Sequence, residues 1–100
     1  MTEDKPKKAI KLQIDVPPEK AQGSYSNMTM INHTETEFVF DFIFLQPQTP
    51  KARVNNRIVL NPKNAKRLMS MLQKSVEKYE SRFGEIQLKQ GEKKIESVFH

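Results

Sequence analysis

The stretch Phe38–Leu45, which reads FVFDFIFL, decides how this 100-residue chain is interpreted. Asp41 is its single polar residue, and the other seven are aromatic or aliphatic. Aromatic and β-branched residues favour strands, and the side chains of a strand alternate between the two faces of its sheet. The stretch is therefore predicted to be a strand, here residues 36–45, with apolar side chains on both faces. A strand of this kind needs cover on both sides.

Three more strands are predicted around this one. Residues 10–16 alternate apolar and polar side chains and end at two prolines, which cannot continue a ladder. Residues 24–32 form the second strand, followed by a three-residue loop at 33–35. Residues 52–60 form the fourth strand, after a proline-containing break at 46–50. The segment 19–23 is expected to be a loop.

The pairing of these strands follows from matching apolar residues. If Leu45 lies opposite Lys51, Phe42 faces Val54 and Phe38 faces Ile58. The three-residue loop likewise sets Met30 opposite Phe38. One face of the sheet then collects the phenylalanines with Met28, Met30, Val54 and Ile58.

A long helix is predicted after the fourth strand. Asn61 is a suitable N-cap, Pro62 is tolerated in the first turn, and Gly84 is a typical C-terminal cap. Six apolar residues recur between these limits at spacings of four and three: Ala65, Met69, Leu72, Val76, Tyr79 and Phe83. This stripe is expected to cover the phenylalanine face of the sheet.

The predicted fold class is therefore α+β: a four-stranded antiparallel meander followed by one long C-terminal amphipathic α-helix. Residues 9–84 are expected to form a single domain. Residues 1–8 are charged and predicted to be a disordered arm, and residues 85–100 a mostly flexible tail.

Composition excludes several classes of protein. The chain has no cysteine, which excludes thiol chemistry and thiolate metal sites and fits a reducing compartment. Its three glycines cannot form a phosphate-binding or dinucleotide-binding loop. There is no apolar run long enough to cross a membrane and no signal peptide, so a cytoplasmic location is expected.

The second face of the sheet suggests a partner. In the predicted register this face carries large apolar side chains for which the single long helix offers no cover, and such patches usually mark association surfaces. The candidate oligomer interface consists of Tyr25, Ile31, Val39, Ile43, Leu45 and Val59. We expect a homo-oligomer, in the first place a homodimer. The open alternative is that the C-terminal tail or the first strand covers this face within one chain.

Few residues are candidates for catalysis or metal binding. His33 lies in a predicted loop without a second histidine or a thiolate, so no metal site is predicted. Asp41 on its apolar strand could act as an acid or base, but is interpreted as a structural ion pair with Arg53 or Arg57. No catalytic residue and no cofactor is predicted, and an enzyme is not expected.

Charge is divided unevenly along the chain. Residues 9–50 carry two basic and five acidic side chains, whereas residues 51–82 carry nine basic and two acidic ones. Four of the basic residues share the helix face opposite the apolar stripe: Lys63, Arg67, Lys74 and Lys78. This candidate basic face could bind the phosphates of a nucleic acid, although a solvated helix face is the simpler interpretation.

Several short motifs occur in an order that resembles a known bacterial family, the domain of unknown function 3467. They are GSYSN at 23–27, EFVFDF at 37–42, PKA at 50–52, RIVLNP at 57–62, AKRL at 65–68 and YESRFG at 79–84. The resemblance covers residues 8–86 and implies a bacterial, stand-alone domain. It implies no activity, substrate or site residue.

The function expected from the sequence is that of a non-enzymatic interaction or scaffold module. The two-faced strand and the adaptable methionines suggest that it binds apolar segments of other proteins in a chaperone-like way. Binding of nucleic acid through the basic helix face is the alternative.

Overall fold

The computed structural model describes residues 9–88 of the chain. They form helix α1 (Pro18–Ala21), strands β1 (Met28–His33), β2 (Phe38–Leu45) and β3 (Ala52–Leu60), and helix α2 (Pro62–Phe83). The strands make one antiparallel sheet in the order β1-β2-β3, with β2 in the centre. The predicted α+β class and the long C-terminal helix are confirmed. The predicted arm at 1–8 and the tail beyond residue 88 lie outside the described residues.

The predicted first strand is wrong. Residues 10–16 have no regular structure, and Ile10, Leu12, Ile14 and Val16 are 64–82% exposed. Alternation of apolar and polar residues shows which side of a segment is apolar, but a strand also requires a neighbour with free backbone groups. None of the three strands pairs with this segment, so the sheet has three strands instead of four.

A short helix replaces part of the loop expected at residues 19–23. Helix α1 has only four residues, with Pro18 at its start and Glu19 in the first turn. Both are favourable in the first turn of a helix, because proline has no N–H to leave unpaired and a carboxylate complements the N-terminal dipole.

The first hairpin is tighter than predicted. Thr34 N–H donates to the carbonyl of Glu37 at 2.9 Å, which leaves a two-residue loop at residues 35 and 36. The Thr34 hydroxyl oxygen accepts from the N–H groups of Thr36 and Glu37 and fixes the turn. Relative to the predicted three-residue loop, the register shifts by an odd number of residues, which moves every β1 side chain to the other face. His33 accordingly stacks on Phe38, with ring centroids 5.3 Å apart.

The second hairpin also differs from the prediction by one residue. Gln46 N–H donates to the carbonyl of Lys51 at 3.0 Å, so Gln46, rather than Leu45, lies opposite Lys51. In this register Val54 lies opposite Ile43, and Ile58 opposite Val39. The predicted pairs with Phe42 and Phe38 are therefore wrong. Because β2 is apolar at both odd and even positions, matching of apolar residues does not penalise a slip of one residue.

Strand β1 begins four residues later than predicted. In the residues just before it, side-chain hydrogen bonds take the place of backbone hydrogen bonds between strands. The Asn27 side chain donates to the carbonyl of Leu45 at 3.0 Å and accepts from the N–H of Leu45 at 2.8 Å. The Ser26 hydroxyl lies 3.0 Å from the carbonyl oxygen of Ile43, and the Asn55 side chain donates to the carbonyl of Tyr25. Residues 25–27 are thus held by hydrogen bonds without being part of a strand.

Helix α2 begins and ends where the sequence predicts. The side-chain oxygen of Asn61 accepts from Asn64 N–H at 2.8 Å, which satisfies one of the free donors of the first turn. Gly84 follows Phe83 with φ 99°, a conformation that favours glycine, and its N–H donates to the carbonyl of Glu80. The N-cap, the first-turn proline and the C-terminal glycine are all confirmed.

The described chain divides into two compact units. One contains residues 9–30 together with Asp41–Asn56, and the other contains Ile31–Phe40 together with residues 57–88. In the first unit Ile43 is 2% exposed and Asp41 is fully buried. In the second unit Phe40 of β2 and Ala65 of α2 are the buried apolar residues among those described. The single domain expected over residues 9–84 stays a prediction.

Candidate functional site

The second unit contains an apolar groove between helix α2 and residues of β1 and β2. It has a volume of about 500 Å³ and is open to solvent. Ile31, Phe38 and Phe40 form one wall. The other wall belongs to the N-terminal half of α2: Pro62, Ala65, Lys66, Leu68, Met69 and Leu72. Lys66 is its charged member, so the groove is suited to apolar side chains.

The groove exists because the helix stripe is only partly covered. Ala65 is buried and Leu68 is half-buried. Four of the five later residues of the stripe are exposed, Met69 by 61%, Leu72 by 58%, Tyr79 by 51% and Phe83 by 68%, whereas Val76 is half-buried. The stripe is predicted to cover the phenylalanines of the sheet. It does so in the first turns of α2 but not along the whole helix.

The uncovered stripe is energetically unfavourable in water. Burying a large apolar side chain stabilises a protein by about 1.5–3 kcal/mol relative to leaving it exposed. Single exposed apolar residues are common on protein surfaces, but contiguous ones beside a groove mark a site of association. The groove and the stripe together are thus a candidate interaction surface.

The six residues of the candidate oligomer interface have different environments. Ile43 is buried, Val39 and Leu45 are half-buried, and Val59 is exposed. Tyr25 is exposed and its ring meets that of Phe44 edge-on, at a centroid distance of 6.2 Å. The sequence pattern places Tyr25 on the face opposite Phe44, and that prediction is wrong.

Ile31 is likewise reassigned. The sequence predicts it on the face away from the phenylalanines, but it lines the groove with Phe38 and Phe40 because the first hairpin has a two-residue loop. A role of these six residues in oligomer formation stays a prediction. The groove itself was missed, although one signal for it was present: the helix stripe is longer than a short sheet can cover.

The candidate basic face is exposed as predicted. Lys63, Arg67, Lys74 and Lys78 are all exposed on α2. The Arg67 guanidinium donates to the side-chain oxygen of Asn64 at 3.0 Å, which ties it to the first turn. Lys74 and Lys78 extend the positive charge of this face into the C-terminal half of the helix.

His33 stacks on Phe38, and Asp41 is fully buried. Residues 9–88 contain no cluster of three or more His, Cys, Asp or Glu side chains that could hold a metal ion. None of the helices formed by these residues has the length and apolar character needed to cross a membrane.

Comparison with known families identifies the chain. A family model described as a protein of unknown function, the domain of unknown function 3467, matches residues 1–88. The chain therefore belongs to this family, as its motifs suggested. Comparisons with curated proteins and with solved structures give no match.

Proposed function

We propose that this chain is a non-enzymatic interaction module that forms a homo-oligomer through its apolar surfaces. The open groove beside the uncovered stripe of α2 carries this proposal. A small protein with few buried apolar side chains gains stability when a second surface removes such a stripe from water. Because the cysteine-free sequence fits a reducing compartment, we place this role in the cytoplasm.

The same surface supports a chaperone-like role towards apolar segments of other proteins. The groove is lined by two phenylalanines and by aliphatic residues, and Met69 lies on its helix wall. Methionine is unbranched and polarisable, so a surface that contains it adapts to side chains of different shape. An unfolded segment with a few large apolar residues fits these requirements.

The proposal predicts that Leu72→Asp abolishes association. Leu72 is more than half exposed, so the charge is tolerated in the isolated chain but opposes burial in a complex. We expect a self-association constant weakened at least ~100-fold in sedimentation velocity and loss of aggregation suppression for an unfolded client. Ser70→Asp adds the same charge to an exposed residue outside the stripe and should leave both properties intact. A wild-type chain that stays monomeric at millimolar concentration and protects no client contradicts the proposal.

Nucleic-acid binding through the basic face is the second candidate. It rests on the four exposed cations on one side of α2, a pattern that suits a row of phosphates. The expected result is binding to duplex DNA or RNA whose affinity falls steeply with salt, with a slope of log K against log salt concentration of about −0.9 for every phosphate neutralised. Reversal of Lys63, Arg67, Lys74 and Lys78 to Glu should abolish it, and reversal of Lys11 and Lys20 should not. Absence of binding at low salt, or salt-independent binding, excludes this candidate.

A further inference from the structure

We infer that the groove is filled by helix α2 of a second copy of this chain, lying antiparallel to the first. The inference rests on the proposed self-association and names its interface. Each α2 would then insert its C-terminal aromatic residues into the groove of the other copy. The dimer has two equal contacts related by a two-fold axis.

The spacing of the stripe is that of a helix packed against a helix. Its six residues recur at alternating spacings of four and three, which is the alternation of the a and d positions in a coiled-coil heptad. Among residues 9–88 the only other helix is α1, and its four residues are too few to pair with α2.

In an antiparallel pair of α2 helices, the stripe of one copy is complementary to the stripe of the other. An antiparallel pair centred on residue 74 places Ala65 opposite Phe83 of the second copy and Leu72 opposite Val76. The remaining layer pairs Met69 with Tyr79. Each layer thus combines a smaller or flexible side chain with a larger one, as close packing requires. A parallel pair would stack Ala65 on itself and Phe83 on itself, leaving a gap at one end and crowding at the other.

The groove and the aromatic residues lie at opposite ends of one helix. Tyr79 and Phe83 are both more than half exposed, and their ring centroids are 5.0 Å apart. At a rise of 1.5 Å per residue, Phe83 lies about 27 Å along α2 from Ala65, so these rings cannot enter the groove of their own chain. Antiparallel pairing brings them to Ala65 and Met69 of the second copy, both of which line the groove.

Charges beside the seam favour the same arrangement. Lys66 and Glu80 each follow a residue of the stripe, Ala65 and Tyr79 respectively. In the antiparallel pair Lys66 faces Glu80 of the second copy, and this pairing occurs twice. Glu80 is half-buried, and its carboxylate accepts from Ile86 N–H at 3.0 Å, which holds it beside the C-terminal end of α2.

Charge reversal tests this pairing directly. Lys66→Glu alone and Glu80→Lys alone each place like charges opposite one another twice. We expect either variant to self-associate at least ~10-fold more weakly than wild type. When the two variants are mixed, both pairings become attractive, and a heterodimer of wild-type affinity should form. The control pair, Lys74→Glu with Glu77→Lys, changes the same charges on the outer face and should show no preference for the mixture.

Orientation is measured with spin labels, which the absence of native cysteine makes simple. In the antiparallel dimer a label at Lys63→Cys is displaced from its equivalent by about 33 Å along the helix axis, and one at Lys74→Cys by almost nothing. The distance measured by pulsed electron resonance should therefore be much longer for the first label. Equal distances for both labels would show a parallel pair and overturn the inference.

The outcomes separate the inference from the proposed function. A wild-type oligomer whose charge variants associate normally, or show no preference when mixed, overturns the helix pairing but leaves self-association standing. A wild-type monomer overturns both. The double variant K66E/E80K guards against misfolding, because it should recover the dimer only if these two residues face each other.

Discussion

Replacement of Asp41 by alanine is expected to lower the free energy of unfolding by about 3–5 kcal/mol, a large fraction of the stability of a small domain. Asp41 lies in the central strand, is fully buried and has an interaction partner. Removal of one member of a buried polar interaction leaves the other member desolvated and unsatisfied. Urea unfolding followed by circular dichroism measures the change in stability.

Asp15→Ala is the matched control for this variant. Asp15 is exposed, so the same change of residue and charge should alter stability by less than about 0.5 kcal/mol. An Asp41→Ala chain as stable as the Asp15→Ala chain would show that the buried carboxylate has no structural role.

The second large effect is expected at Ile43. Ile43→Ala removes most of a side chain that is 2% exposed and should destabilise the chain by about 2–5 kcal/mol. Ile31→Ala is the same substitution at a residue that is 57% exposed in the groove, and at low protein concentration its effect on unfolding should be below about 1 kcal/mol. Denaturation at two concentrations distinguishes folding from association, since only the latter depends on concentration.

The two isoleucine variants also test the corrected register. If Ile31→Ala weakens self-association and leaves the isolated chain stable, Ile31 belongs to the interaction surface. Equal destabilisation by both variants at low concentration would contradict the exposure of Ile31. It would favour the predicted register, in which Ile31 and Ile43 are members of one face.

Helix α2 could be predicted to the residue because its limits are local. Asn61 caps a free N–H three residues ahead, and Gly84 provides a backbone conformation that other residues rarely adopt. Both signals act over a few residues and do not depend on distant parts of the chain. For the same reason the end of β3 at Leu60, immediately before the cap, was also predicted correctly.

The pairing of the strands could not be predicted in the same way. Pattern matching fixes a register only where one face is polar, and β2 is apolar on both faces. The hydrogen bonds of Thr34 and Gln46 decide the two hairpins, and neither residue carries a sequence signal as strong as an Asn-Gly turn. Residues 10–16 show a related limit, because alternation alone does not supply a neighbouring strand.

The groove was only partly accessible from the sequence. Its helix wall could be predicted, because Ala65, Met69 and Leu72 share the stripe. Its sheet wall could not, because the presence of Ile31 there depends on a loop of two residues instead of three. Residue spacing does not encode whether the helix and the sheet pack closely or leave space between them. This is a property of the packed structure.

The hydrogen bonds of Asn27 make the start of strand β1 sensitive to deamidation of this side chain. Its carboxamide takes the place of a peptide group opposite Leu45, using both its oxygen and its nitrogen. Deamidation to aspartate keeps the oxygen but replaces the nitrogen with a second acceptor, so the Leu45 carbonyl would face a negative charge instead of a donor. Slow chemical change at one side chain would thus loosen the start of β1 without any cleavage of the chain.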